Sequence, residues 1–88
     1  MKLLFCRKCE DLFRLTKEER SCECGHTSGY YLEDGLYAEY FGEDAVPLFV
    51  ANSSFIQAVL DRPHSGKGSI FTAGVIPEVC DTMKYVSE

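Results

Sequence analysis

Four of the five cysteines fall in two short pairs, Cys6-Arg7-Lys8-Cys9 and Cys22-Glu23-Cys24, separated by a spacer from Glu10 to Ser21. Thiolates grouped in this way suit a tetrahedral metal ion, because two short loops can each offer two sulfurs from opposite sides. Gly25 follows the last of them, and a glycine there lets the backbone turn its N–H groups toward the sulfurs. Arg7, Lys8 and Arg20 are near the pairs in sequence and can offset thiolate charge. The second pair is one residue tighter than the first. His26, in Cys24-Gly25-His26, could therefore replace Cys22 and give three sulfurs and one nitrogen. Disulfides suit the pattern less well, since the cysteine count is odd and a reducing compartment favours metal binding.

These residues resemble a zinc ribbon of the rubredoxin-like kind, in which two cysteine knuckles on adjacent hairpins grip one ion. The resemblance covers about residues 3–28. It implies one structural Zn²⁺ held by Cys6, Cys9, Cys22 and Cys24, with His26 as the competing ligand. Iron, and with it electron transfer as in rubredoxins, fits the shortened second knuckle less well. Four protein ligands leave no coordination position open for water or substrate, so the metal is expected to hold the fold and not to catalyse.

The ligand pairs need strands to carry them. Leu12, Phe13 and Leu15 predict a short strand in the spacer, followed by a polar turn over Thr16 to Arg20. From Ser28 onward the pattern is that of strands. Tyr30 to Leu32 leads into Asp34-Gly35, a dipeptide suited to a type I′ hairpin, and Leu36 to Phe41 returns. Gly42 to Asp44 makes a second turn. Val46 to Ala51 reads as a strand whose Pro47 suits a start or an edge. Phe55, Ile56, Val59 and Leu60 recur at helical spacing, with a cap expected from Asn52, Ser53 or Ser54 and a stop at Pro63. Ser69 to Ile76 predicts another strand, and Met83 to Val86 an edge strand. The fold expected is a small β-rich α+β unit: zinc-ribbon knuckles over 1–27 continue into an antiparallel sheet with one short helix over 28–88, packed together. No internal repeat stands out.

With 88 residues, 45% of them apolar, the chain can fold but has little core, and small domains of this kind usually rely on a staple. The apolar run Leu3 to Phe5 is far too short for a signal peptide or a membrane span, which points to the cytosol. The net charge is −5, and four thiolates on one divalent ion bring it to about −7. Residues 28–61 hold six acids (Glu33, Asp34, Glu39, Glu43, Asp44 and Asp61) and no base. Such a stretch repels phosphate backbones, which argues against the nucleic-acid binding common among zinc ribbons. It attracts a basic protein instead. Adjacent aromatics cannot all face one side of a hairpin, so Tyr30, Tyr31, Glu33, Tyr37, Glu39 and Tyr40 are the expected partner-binding residues of a protein–protein adaptor.

No catalytic set competes with this reading. His64 to Ser69 has the composition of a phosphate loop without its spacing or the helix that should follow. Asn52 to Ser54 with Asp61 and His64 lacks a nucleophile elbow. Cys80, between Val79 and Asp81, reads as a small apolar residue.

Overall fold

A computed structural model describes residues 1–87. The strands are β1 (Lys2–Cys6), β2 (Leu12–Arg14), β3 (Arg20–Ser21), β4 (Ser28–Tyr31), β5 (Ala38–Phe41), β6 (Ala45–Val50), β7 (Ala73–Val75) and β8 (Met83–Tyr85), with one helix, α1 (Asn52–Leu60), between β6 and β7. They form two four-stranded sheets of order β2-β1-β6-β7 and β3-β4-β5-β8. All pairings are antiparallel except β5 with β8. The small β-rich class with one short helix is as expected. Each sheet takes strands from both sides of residue 28.

β1 lies inside its sheet, flanked by β2 and β6. Its alternation explains the placement: Leu4 and Cys6 are fully buried, whereas Leu3 and Phe5 are only half-buried. The core is small, comprising Leu4, Cys6, Phe13, Leu15, Cys22, Ala38, Tyr40, Ile76 and Met83. Two of its nine members are cysteines, which makes those thiols part of what holds the sheets together. Lys2 adds a polar clasp. Its N–H donates to the Tyr31 hydroxyl at 2.9 Å, and its Nζ donates to the carbonyls of Thr82 (2.8 Å) and Leu36.

Several local expectations change. Pro47 lies within β6, opposite Leu4 of β1, and not at an edge. Its carbonyl accepts from Ile76 N–H at 2.9 Å, just past the end of β7, so the N–H it lacks falls where that ladder has already stopped. The helix begins at Asn52 after Ala51, with no side-chain cap. Two of the three polar residues expected to cap it bond elsewhere: Asn52 Oδ1 accepts from the Met1 amine at 3.0 Å, and Ser54 Oγ accepts from Thr72 N–H at 2.8 Å. No helix residue is buried, and half-buried Phe55 meets the Phe71 ring edge-on at 5.0 Å. The strand expected over 69–76 shrinks to Ala73–Val75. Among the described residues no helix is long and apolar enough to cross a membrane.

Candidate metal centre

Each cysteine pair sits in a loop that starts where a strand or strand segment ends. In the first, Cys6 N–H donates to the Asp11 carbonyl (2.9 Å) and Glu10 N–H returns to the Cys6 carbonyl (2.7 Å). In the second, Cys22 N–H donates to the Thr27 carbonyl (2.8 Å) and Gly25 N–H returns to the Cys22 carbonyl (3.0 Å). Both loops thus join their first residue to their sixth. The residue after the last cysteine is left-handed in each, with φ +61° at Glu10 and +81° at Gly25. The shorter spacing in the second pair is absorbed inside the loop: its return bond spans three residues where the first spans four.

The two loops meet at the end of the core. The Sγ atoms of Cys6, Cys9, Cys22 and Cys24 all lie within 4.8 Å of one another. Cys24 Sγ is 3.7 Å from Cys6 Sγ and 3.5 Å from Cys22 Sγ. Four sulfurs this close have the geometry to hold one metal ion. His26 stands outside the set, with its Nε2 3.4 Å from Lys8 Nζ. Because Cys6 ends β1 of one sheet with Cys9 just beyond it, and Cys22 and Cys24 follow β3 of the other, a metal held here cross-links the two sheets.

Surrounding groups favour the ionised sulfurs. Thr27 N–H donates to Cys22 Sγ at 3.3 Å, and the N–H of His26 serves Cys24. Asp11 Oδ2 accepts from Glu23 N–H at 3.0 Å and steadies the second loop from the first. Arg7 secures the first loop to the β5–β6 turn, donating to the Glu43 carbonyl at 2.8 Å and pairing with the exposed Asp44 carboxylate at 3.7 Å.

Four thiolates cannot all carry charge unaided at this separation. The Cys6 thiol is lowered to about 6, first by the Thr27 hydroxyl and then by the Cys9 and Lys8 N–H groups, against the cost of burial. Burial works against a Cys22 thiolate too, but the Thr27 N–H and the other donors carry its pKa below the ordinary value. Cys24 is pushed up to about 12: the His26 N–H favours its thiolate, but burial and the three neighbouring sulfurs prevail. A divalent cation at the centre removes that conflict, since each sulfur then faces opposite charge at bonding distance.

The expected partner-binding residues separate into three groups. Tyr40 is buried in the core, so its ring faces no solvent. Tyr30, Tyr31 and Glu39 are half-buried and already engaged. Tyr30 hydroxyl donates to Glu39 Oε1 at 2.6 Å, and Tyr31 accepts from Lys2. Only Glu33 and Tyr37 are exposed, and Leu36, absent from the expected set, joins them.

These three lie on a loop that sequence reading missed as a repeat. Residues 32–37 close as residues 22–27 do: Leu32 N–H donates to the Tyr37 carbonyl (2.7 Å), Gly35 N–H to the Leu32 carbonyl (2.9 Å), and Gly35 has φ +70°. The type I′ hairpin expected at Asp34-Gly35 is therefore replaced by a six-residue loop, and Asp34 is not left-handed. Its Oδ1 instead accepts the N–H groups of Leu36 and Tyr37, each at 3.0 Å. The signal was present but slight: Glu-x-Gly recurs at Glu23–Gly25 and Glu33–Gly35, ten residues apart. No family model matches this chain, nor does any curated protein or solved structure.

Proposed function

We propose that this chain is a small zinc-binding protein whose metal has a structural role and which serves as a protein–protein adaptor. The all-cysteine ligand set carries the zinc reading. A tetrahedral ion with Zn–S near ~2.3 Å has S···S edges of about 3.8 Å, and the two sulfur pairs at 3.5 and 3.7 Å sit close to that. Cys6, Cys9, Cys22 and Cys24 fill the tetrahedron, so the role is non-catalytic. Bound there, zinc supplies a fixed charge and a cross-link. The protein's part is to present four thiolates, shield two of them in the core and bring N–H donors to their sulfurs.

The adaptor reading rests on loop 32–37. Leu36 is 57% exposed and Tyr37 40% exposed, on a backbone fixed by Asp34 on one side and by Lys2 at the Leu36 carbonyl. A rigid, paired apolar and aromatic tip beside Glu33 suits a partner with an apolar pocket ringed by Lys and Arg. The surrounding stretch of acids without bases would steer that partner in.

Two measurements test this. Elemental analysis of the chain purified under reducing conditions should find one zinc per chain, lost in Cys22→Ser; iron at that stoichiometry would overturn the zinc reading. Wild type and a Leu36→Ser/Tyr37→Ser variant should then be used as bait in extracts of the native host. The adaptor reading expects a protein bound by wild type, lost with the variant and released by raised salt. Identical capture by both would sink it, and a salt-dependent shift of DNA or RNA in a gel at physiological ionic strength would put nucleic-acid binding first.

A further inference from the structure

Thr27 is the one buried polar or charged residue among those described, with no exposed surface, and its Oγ1 is the one buried side-chain oxygen or nitrogen there without a formed hydrogen bond. A hydroxyl in that position is costly unless something nearby can accept its proton. The N–H of Thr27 is 3.3 Å from Cys22 Sγ, the Cys6 sulfur of the opposite loop lies within 4.8 Å of that one, and the Thr27 hydroxyl is the first of the groups that favour the Cys6 thiolate. A thiol is a weak acceptor, and a metal-bound thiolate is a strong one. The main chain of the same residue is already committed to the other pair: its N–H donates to Cys22 Sγ at 3.3 Å, and its carbonyl accepts from Cys22 N–H at 2.8 Å.

We infer that Thr27 is a positioning residue of the metal centre, donating its hydroxyl to the Cys6 thiolate while its N–H holds Cys22, so that one residue ties the two ligand pairs to each other. This inference rests on the metal-site reading above. Three features of Thr27 converge on it. A serine or threonine with no role at the site would be expected to face solvent or a backbone carbonyl, whereas this one is enclosed. Cys6 ends β1 of one sheet and Cys22 follows β3 of the other, the same two sheets that a metal at the four cysteines would link. A sulfur bound to a metal is also a far better acceptor than a thiol, so the bond is strongest in the metal-loaded chain.

The consequence is a sign change that packing alone does not produce. Thr27→Val keeps the branched shape and removes the hydroxyl. In the metal-free chain it deletes an unpaired polar atom and should leave thermal stability unchanged or raised. In the metal-bound chain it deletes a donor to Cys6. Partners of ligating groups typically contribute about 10–100-fold in metal affinity, so Thr27→Val should weaken zinc binding by at least about 10-fold. Thr27→Ser, which keeps the hydroxyl and loses a methyl, should stay within about 3-fold of wild type.

The experiment is a chelator competition for zinc on the full chain, with cobalt substitution as the second readout. In the cobalt-loaded protein, loss of a hydrogen bond to one thiolate should shift the sulfur-to-cobalt charge-transfer band to lower energy in Thr27→Val and not in Thr27→Ser. Equal affinity of Thr27→Val and wild type, with superimposable cobalt spectra, overturns the inference. So does an equal loss of affinity in Thr27→Ser and Thr27→Val, which would assign the effect to packing. Failure of wild type itself to bind zinc or cobalt through four thiolates would instead overturn the metal-site reading on which this one stands.

Discussion

Loops 22–27 and 32–37 close with the same two backbone bonds and turn at a left-handed glycine, Gly25 in one and Gly35 in the other. In each, the N–H groups of the last two residues are directed at an anionic side chain. In loop 22–27 these donors, His26 and Thr27, serve the sulfurs of Cys24 and Cys22. In loop 32–37 the equivalent donors, Leu36 and Tyr37, both serve the carboxylate of Asp34. Leu32 stands where Cys22 does, and Asp34 where Cys24 does. One backbone shape is therefore stabilised in two ways: in the first loop by sulfurs that also converge on Cys6 and Cys9, in the second by a carboxylate that acts on its own loop alone. The first arrangement meets the other sheet through its sulfurs, the second through Lys2 of β1 at the Leu36 carbonyl. The tip of loop 32–37 still displays the side chains of Leu36 and Tyr37.

The largest test of this contrast is removal of any metal that the four cysteines hold. Metal binding contributes an apparent ~10–16 kcal/mol in small zinc domains, comparable to a domain's whole stability. With two of nine core residues lost from their roles as ligands, chelation or Cys22→Ser should unfold residues 1–28 at least, and the sheet partners β4 and β6 with them. Circular dichroism with and without chelator decides it. An unchanged spectrum and melting curve would mean that the cysteine loops need no more help than loop 32–37.

Next in size are the two glycines. A Cβ at Gly25 meets nothing within 4 Å, and one at Gly35 meets only the end of the Lys17 side chain at 3.9 Å. Substitution at either therefore acts through backbone conformation. Gly25→Ala and Gly35→Ala should each cost about 1 kcal/mol in denaturant titrations of the metal-loaded chain. Unequal costs would break the equivalence of the loops.

Asp34 separates them further. The N–H groups of Leu36 and Tyr37 hold its pKa below the ordinary carboxylate value. A depressed folded pKa means that the stabilisation is fully present above the unfolded value of about 3.9 and is lost as pH falls through the folded one. Asp34→Ala should lower the melting temperature at neutral pH, increase amide exchange at Leu36 and Tyr37, and lose that part of the acid sensitivity while leaving the metal content of the purified chain unchanged. Metal content lost with this variant would show that the loops are not independent.

The smallest effect concerns the first cysteine loop. Glu10 takes the left-handed position with φ +61°, where Gly25 and Gly35 stand in the others. Glu10→Gly should be neutral to stabilising, by up to about 1 kcal/mol. A clear loss of stability would mean that the Glu10 side chain contributes something its exposed position does not suggest.

The cysteine cluster was legible because residues of one type in two short, closely spaced pairs mark a shared site directly in the sequence. The strands from Ser28 to Val50 were legible for a similar reason, since alternation and glycine turns are local signals. The same applies to the existence of α1, though not to its start. There the chain is set by long-range bonds: Asn52 to the Met1 amine and Ser54 to Thr72. β1 was passed over because its five residues carry weak alternation that becomes meaningful only once β2 and β6 flank it. Tyr40 and Tyr37 are three residues apart and chemically alike, yet one is core and the other exposed: Tyr40 lies in β5 with the Tyr85 ring of β8 edge-on at 5.4 Å, whereas Tyr37 sits in the loop before that strand.

The sequence by itself determined that four sulfurs belong to one site, that the chain is β-rich and that its middle is acidic, because each of these is a property of residue type and near-neighbour spacing. Only the tertiary structure decided that the site joins two sheets, that His26 stands aside, that Thr27 is buried beside Cys22 and that Leu36 and Tyr37 form the free tip. Those depend on which distant segments pack together, and a small core leaves that choice to a few contacts among residues far apart in the chain.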